Sequence, residues 1–234
     1  MLHATIIQHT AADTAGAVMP LLEQLDVATT VVRVDRGDVI PRVVPSEILM
    51  TFGAPISLVH GEVPNWVSRE KELLRWAIEE GRSVLAVCFG AQLLASVLGS
   101  QVVQNHTAEV GWHRVWKNQG VTHPHGFTSL PDYWQAFHWH RNTFEMPLQA
   151  VPLYQSHACK HQSFQLGDRV VGFQFHFEAN ARTVRNFLTA SDLWRLESES
   201  VHDREKIISD TEIYLGQQQL HLERFMQEFI ARSA

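Results

Sequence analysis

The chain has 234 residues, of which 45% are hydrophobic and 19% are charged. This composition predicts a folded protein with a sizeable buried core and argues against general disorder. The formal net charge is −6 and no lysine- or arginine-rich run occurs, which argues against a nucleic-acid binder. No apolar stretch approaches the roughly 18 residues of a membrane helix, and the N-terminus lacks the basic start of a signal peptide. The only two cysteines are Cys88 and Cys159, so we expect reduced thiols and a cytoplasmic location.

In the first half of the chain, apolar and β-branched runs alternate with helical patterns. The runs predict strands at 4–8, 28–34, 47–52 and 83–87, and the patterns predict helices at 17–25, 65–80 and 90–98. Strands that alternate with helices over short connections are typical of a parallel sheet covered on both faces. The sequence therefore predicts an α/β fold with a mostly parallel central sheet flanked by helices.

The second half contains short strand-like runs with few helices between them, at 110–116, 134–139, 151–155, 163–166 and 170–175. We expect part of this region to form antiparallel strands at one edge of the sheet. From Ala179 onward the pattern is helical, and one face of the last helix carries Leu215, Leu222, Phe225, Met226, Phe229 and Ile230. This face either packs on the domain or forms a dimer or partner surface. We predict one domain over 1–190 and a helical C-terminal extension over 191–234 that packs on it.

A cysteine stands where a strand pattern runs directly into a helix pattern. Small residues lie two positions before and two positions after Cys88, namely Ala86 and Gly90. A nucleophile on a strained strand-to-helix turn needs such neighbours, because bulky ones would clash. The helix N-terminus would favour the thiolate, and the amide of Phe89 could bind an oxyanion. The simpler alternative is that Cys88 is a small buried apolar residue.

A cysteine nucleophile needs a base, and the base needs a group that orients it. In the segment 171–178, a strand with a period of two would put His176 and Glu178 on one face. The carboxylate could then hold one ring nitrogen and leave the other toward a thiol. The alternative is an ordinary exposed strand end that carries polar residues.

With these segments the chain resembles the class I glutamine amidotransferase family, whose members use a Cys-His-Glu triad. Residues 88–92 resemble its Cys-x-Gly-x-Gln elbow, 175–178 its Phe-His-Pro-Glu motif, and 52–55 its Gly-Gly-Pro segment. The segments 109–112, 138–144 and 156–162 resemble landmarks of the stand-alone branch related to the amidotransferase domain of GMP synthase. The similarity runs from about residue 48 to residue 178.

The resemblance implies that Cys88 attacks a glutamine carboxamide, with His176 as the base and Glu178 as its orienting group. It places the oxyanion hole at the backbone amides of Ala54 and Phe89. It assigns substrate binding to Gly53, Gln92, His140, Arg141 and Asn142. It requires no metal and no organic cofactor. Its substrate would be glutamine or a γ-glutamyl compound, and its ammonia acceptor a separate synthetase subunit, if one exists.

The chain departs from the family pattern at several positions. Ala54 replaces a glycine, Phe177 replaces a proline, and Arg141-Asn142 replaces Gly-Asp. An arginine at position 141 could narrow the pocket or bind a carboxylate. The departures leave open a γ-glutamyl peptide or γ-glutamyl amine hydrolase, and also a catalytically silent binding protein.

Two further candidates come from cysteine and histidine residues outside the triad. We expect Cys159 in the core or in a pocket wall, because no elbow surrounds it. A zinc site built from His113, His138, His140 and His157 is a competing hypothesis, although no standard zinc motif supports it.

Overall fold

The computed structural model describes residues 1–119 and 127–234. Its α-helices are Val18–Gln24 (α1), Asn65–Glu79 (α2), Phe89–Val97 (α3), Ala181–Ala190 (α4) and Arg204–Ser233 (α5), and short 3-10 helices lie at Val34–Arg36 and Leu193–Arg195. Its strands are His3–Gln8 (β1), Ala28–Arg33 (β2), Ile48–Thr51 (β3), Ser83–Val87 (β4), Val102–Lys117 (β5), Tyr133–Phe144 (β6), Val151–Pro152 (β7), Tyr154–Gln155 (β8), Ser163–Leu166 (β9) and Val170–Phe173 (β10). None of the helices in the described residues is long and apolar enough to cross a bilayer.

The main sheet has seven strands in the order β2-β1-β3-β4-β10-β9-β7. The strands from β2 to β10 are parallel, and β9 and β7 add antiparallel pairs at one edge. Successive side chains of a strand point to opposite faces. Ile6 accordingly packs in a cluster with residues of α1 and α5, whereas Ile7 packs with residues of α2 and α3. The α/β fold with helices on both faces is confirmed.

The predicted place of the antiparallel strands is only partly right. Strands β9 and β7 lie at the edge of the main sheet, but β5 and β6 form a separate three-stranded sheet in the order β6-β5-β8. Both are longer than the sequence indicated, since they continue through the polar segments 104–109 and 140–143. Backbone pairing holds the residues on both sides of an irregularity between Gln104 and Glu109 regardless of side-chain polarity, so an apolar pattern predicts strands that are too short.

The last helix covers one face of the main sheet. Phe225 and Phe229 of α5 are fully buried, and Phe225 contacts both Phe173 and Phe177. Leu222 and Met226 belong to the same core cluster. The apolar face of α5 is therefore occupied by the chain's own core, while the domain boundary at residue 190 stays a prediction.

Candidate active site

The candidate site lies at one edge of the main sheet. Because β1, β3, β4 and β10 are parallel, their carboxyl ends meet there. The segments that follow these strands supply His9, Gly53, Cys88 and His176. Ligands of open α/β sheets bind outside the carboxyl ends of the strands, so this edge is where a site is expected.

Cys88 occupies a strained turn between β4 and α3. Its φ is 52° and its ψ is −111°, a combination that costs free energy unless the surroundings enforce it. Its backbone N–H donates to the carbonyl of Phe173 at 2.7 Å, which ties the turn to β10. A Cβ on Gly90 would lie 2.6 Å from the carbonyl oxygen of Thr51, so only glycine fits there without displacing backbone. The steric expectation drawn from the small neighbours of Cys88 therefore agrees with the structure.

His176 and Glu178 form a buried pair, but they do not lie on a strand. Strand β10 ends at Phe173, and residues 177 and 178 form a turn. The premise that a period of two places both side chains on one strand face is therefore wrong. The turn itself brings Nδ1 of His176 within 2.7 Å of Oε1 of Glu178. The backbone N–H of His176 donates to the carbonyl of Phe137 at 2.8 Å and fixes the turn against β6.

The electrostatic surroundings favour a protonated His176. Burial lowers the pKa of its imidazole, but the charges of Glu178, Cys88 and Asp13 and a hydrogen bond with the Cys88 side chain raise it well above its usual value. The imidazole therefore interacts with the sulfur on one side and with the carboxylate on the other. A base next to the sulfur and a carboxylate that orients this base are what a cysteine nucleophile requires.

Asp13 is a second carboxylate beside the imidazole, and it was not identified from the sequence. One of its oxygens, Oδ1, lies 3.9 Å from Nδ1 of His176, and the residue is only 5% exposed. Burial raises the pKa of Asp13 to about 7, the charges of His176 and His9 lower it, and that of Glu178 raises it. The only signal in the sequence was an acidic residue in the loop after the first parallel strand, which is too common to single it out.

A buried network positions the loop after β3. Nδ1 of His9 lies 3.1 Å from the carbonyl oxygen of Gly53, and its Nε2 lies 2.8 Å from Glu70. The hydroxyl of Thr51 donates to the same Glu70 carboxylate at 2.5 Å. A Cβ on Gly53 would clash with the carboxylate of Asp13 and lie 3.2 Å from Cε1 of His176. The network thus fixes the segment that carries the expected oxyanion-hole residue Ala54.

Ala54 adopts an ordinary backbone conformation. Among the described residues, the only non-glycine residues with positive φ are Asp26 and Cys88. The substitution of alanine for the family's glycine therefore introduces no strain at this position.

A cavity of about 710 Å³ opens in front of Cys88 and His176. Its wall includes Ala54 and Phe89, and also Gln92, His140, Arg141 and Asn142, whereas Gly53 and Glu178 do not line it. The carbonyl of Asn142 accepts from Nε2 of Gln92 at 3.3 Å and from Nδ1 of His140 at 3.0 Å. Arg141 is exposed at the rim. The structure thus places Cys88 and His176 at one cavity with four of the five residues assigned to substrate binding, Gly53 being the exception.

A buried glutamine of the C-terminal helix also supports the site. The amide oxygen of Gln218 accepts from the backbone N–H of Phe137 at 3.0 Å, and its amide nitrogen donates to the carbonyl of His176 at 3.1 Å. Gln218 was not identified from the sequence, because a single glutamine on a helix carries no distinguishing pattern. It links α5 to the backbone of the proposed base.

The remaining cysteine and histidine candidates lie elsewhere. Cys159 is buried beside Thr143, and burial raises the pKa of its thiol to about 12. His157 is exposed and packs against Trp116. Of the four histidines of the zinc hypothesis, His138 and His140 share one cluster. The third member of that cluster is Glu109, and neither His113 nor His157 belongs to it.

Comparison with known proteins places this site in a family. Residues 16–196 match the family model described as glutamine amidotransferase class-I. The chain is 30% identical over 193 residues to the glutamine amidotransferase-like protein YfeJ of Salmonella typhimurium, covering 79% of each chain. A GMP synthase of Thermomicrobium roseum is 28% identical over 149 residues, which are 62% of this chain and 26% of that protein.

A solved structure agrees with these matches. The glutamine amido transferase of Methylobacillus flagellatus superposes with a TM-score of 0.88 at 27% identity, over 99% of this chain and 95% of that one. The family match covers most of the chain and includes the segments that line the cavity from Ala54 to Leu193, whereas Thr10, Ala12 and Asp13 precede it. The chain therefore belongs to the class I glutamine amidotransferase family.

Proposed function

We propose that this protein cleaves the γ-carboxamide of glutamine through a thioester on Cys88. The observation that carries the proposal is the convergence of three buried groups. A cysteine in a strained turn interacts with the imidazole of His176, and that imidazole lies 2.7 Å from the Glu178 carboxylate. Membership of the amidotransferase family supports the same assignment.

The first half of the reaction uses the thiolate and the protonated imidazole. The sulfur of Cys88 attacks the carboxamide carbon, and the carbonyl electrons move onto oxygen. The amides of Ala54 and Phe89 are the donors that we assign to this oxyanion, since both residues line the cavity with the nucleophile. His176 then donates its proton to the departing nitrogen. Ammonia leaves, and a γ-glutamyl thioester remains.

The second half returns the enzyme to its starting state. Neutral His176 takes a proton from water, whose oxygen attacks the thioester carbon. The bond to sulfur breaks, glutamate is released and Cys88 leaves as a thiolate beside the imidazolium. Glu178 holds the ring in one orientation throughout and stabilises its charged form, as their 2.7 Å contact allows.

The size of the cavity favours a second candidate substrate class. A volume of about 710 Å³ lies in the range of sites for drug-sized ligands, and Trp139, Phe187 and Leu193 add apolar surface to its wall. A γ-glutamyl amine or γ-glutamyl peptide with an apolar leaving group would fill this space better than glutamine. The chemistry at Cys88 would be unchanged.

The ammonia acceptor is a separate part of the proposal. A relative of this chain is a GMP synthase, of which this chain matches about a quarter. We infer that a separate synthetase subunit is the partner to seek if glutamine proves to be the substrate. A cytoplasmic location stays a prediction from the cysteine content.

The test combines product analysis with covalent labelling. Purified protein is incubated with glutamine and with γ-glutamyl amides of increasing leaving-group size, and ammonia, amine and glutamate are measured. A glutamine-analogue electrophile should label Cys88 and leave Cys159 unmodified, as read by peptide mass spectrometry. Cys88→Ala should lose at least about two orders of magnitude in rate, whereas Cys159→Ala, the matched control, should retain activity.

Each outcome separates the hypotheses. Faster release from bulky γ-glutamyl amides than from glutamine selects the hydrolase alternative. If glutamine is cleaved only when a synthetase subunit is present, the result supports an amidotransferase that works with a separate partner. No labelling of Cys88 under conditions that label an active relative would leave a binding protein on the same fold and would refute the catalytic proposal.

A further inference from the structure

Three buried side chains meet between β5 and β6, next to the candidate active site. Glu109 is directly paired with His140 in the ladder, and His138 lies two residues away on the same face of β6. One ligand atom from each of Glu109, His138 and His140 lies within 4.8 Å of the other two. Their exposed fractions are 1%, 0% and 3%, respectively. The cluster is therefore a polar site inside the protein, not a solvated face.

The hydrogen bonds of His140 define which of its nitrogens carries a proton. Nδ1 lies 3.0 Å from the carbonyl oxygen of Asn142, and a carbonyl can only accept, so Nδ1 carries the hydrogen. In a neutral ring Nε2 then has only a lone pair. That lone pair faces Oε2 of Glu109 at 3.2 Å. Two lone pairs at this distance repel each other unless a positive group, a proton or a metal ion, lies between them.

Glu109 is held in place by donors from a neighbouring segment. The hydroxyl of Ser156 donates to Oε1 at 2.5 Å, and the side-chain amide of Gln162 donates to Oε2 at 2.5 Å. Likewise, the donation from His140 to a backbone carbonyl is the arrangement usual for a histidine that binds metal through its other nitrogen. Hydrogen bonds to neighbouring groups thus already orient Glu109 and His140, two of the three side chains of the cluster.

His138 provides the independent observation. It is fully buried, and within residues 1–119 and 127–234 neither of its ring nitrogens has a hydrogen-bond partner. Its Nδ1 lies 3.9 Å from Oε2 of Glu109, so it points toward the same place as Nε2 of His140. A buried imidazole without partners is costly. A proton between Glu109 and His140 would leave that cost in place, whereas a metal ion would also bind Nδ1 of His138.

We propose that Glu109, His138 and His140 together bind one divalent transition-metal ion, with zinc the best chemical match. Two imidazoles and one carboxylate are a common set of protein ligands for zinc, and small inward shifts would give the distances of about 2.0–2.2 Å that zinc requires. A separate cavity lined by Glu109 and His113 gives the ion a route from solvent. The proposal departs from the expectation of no metal, which the family resemblance implied.

The position of the ion indicates what it does. His140 also lines the active-site cavity, and its neighbour Asn142 is bonded to Gln92. The ion would therefore fix the end of β6 that forms one wall of that cavity. Glu109 and His138 do not line that cavity, so the ion would position the wall and would not take part in the reaction.

The test measures metal binding directly and needs no substrate. The Cys88→Ala protein, in which the nucleophile's sulfur cannot bind metal, is stripped with a chelator and titrated with Zn²⁺ against a chromophoric competitor. It is titrated with Co²⁺ in parallel, and the visible absorption of the cobalt complex is recorded. The expected result is one ion per chain, with a cobalt spectrum typical of nitrogen and oxygen ligands and a Tm that rises until one equivalent has been added.

Variants then locate the ion. His138→Ala and Glu109→Gln should each weaken zinc binding by at least about tenfold, a loss that is typical even for partners outside the ligand set. His113→Gln is the matched control, because Nε2 of His113 is already 3.1 Å from the carbonyl of Val110, and it should bind zinc as Cys88→Ala does. The proposal is overturned if the stripped Cys88→Ala protein takes up no stoichiometric zinc or cobalt, which would leave an ordinary proton between Glu109 and His140. It is also overturned if uptake is unchanged in both ligand variants. If a ligand variant does not fold, the titration of the parent protein still decides.

Discussion

Replacing Gly90 with alanine tests the packing that creates the turn at Cys88. Gly90 lies in the first turn of α3, where a Cβ would be 2.6 Å from the carbonyl oxygen of Thr51 and 2.9 Å from its carbonyl carbon. Ordinary van der Waals contact begins at 3.4 Å, so α3 and β3 would have to separate by several tenths of an ångström. Backbone cannot rotate away as a long side chain can, so the whole helix must shift.

The magnitude follows from two opposing terms. Overpacking a rigid core contact costs about 1–3 kcal/mol, and the closeness to backbone atoms places Gly90→Ala near the upper value. Alanine is better than glycine in a helix by about 1 kcal/mol. The expected net loss is therefore about 2 kcal/mol. For a chain of 234 residues this corresponds to a Tm lower by about 4 °C.

Gly216→Ala is the matched control, because Gly216 lies in α5 and a Cβ there would meet nothing within 4 Å. It should raise Tm by about 2 °C through helix propensity alone. Urea unfolding and thermal scans on both variants check the two values, and labelling of Cys88 reports on the turn. If Gly90→Ala proves as stabilising as Gly216→Ala, with Cys88 labelled at the wild-type rate, the close approach of α3 to β3 is wrong.

Glu178→Gln should lower the pKa of His176 and reduce kcat by about 10²-fold or more, the scale of general acid–base catalysis, and an unchanged pH–rate profile would contradict the proposed pairing. Burial raises the folded-state pKa of Asp13, so the stability that its proton contributes is present below its ordinary pKa of 3.8 and is lost as the pH rises toward about 7. The stability of Asp13→Asn relative to wild type should accordingly grow from pH 4 to pH 7 and then level off in denaturant titrations, and a difference independent of pH would refute the shift. Gln218→Leu should cost about 1–3 kcal/mol in urea unfolding, since it removes the partner of the buried N–H of Phe137, while the carbonyl of His176 still accepts from the N–H of Ala179. The exposed neighbour Gln217, changed to leucine, should stay within about 0.5 kcal/mol, and equal effects of the two changes would rule out the structural role.

Local patterns accounted for the parallel half of the fold. Prediction placed β1, β2, β3 and β4 and the helices between them within a few residues of their observed bounds. Each of these elements has a periodic apolar pattern that can be recognised within its own short segment. The second half was predicted less well. Strands β5 and β6 carry polar residues over much of their length, and only their mutual backbone pairing shows that they form a separate sheet.

The candidate site shows the same division. Cys88 was identified because its small neighbours lie within two positions of it, so one short segment of sequence contains the steric requirement of the turn. His176 and Glu178 were paired for a reason that proved wrong, since a turn and not a strand brings them into contact. Asp13 was not identified at all, because its relation to His176 depends on a separation of more than 160 residues.

The sequence by itself determined the α/β class, the place of the cysteine at a strand-to-helix junction and the order of the family's motifs. These features depend on side-chain periods and on steric limits that act over a few residues. Only the tertiary structure decided that Asp13 lies near the imidazole of His176 and that Gln218 bonds to the backbone of His176. It also decided that Glu109, His138 and His140 form one buried cluster. Such contacts join segments that have no common pattern, and they form only when strand pairing and helix packing bring the segments together.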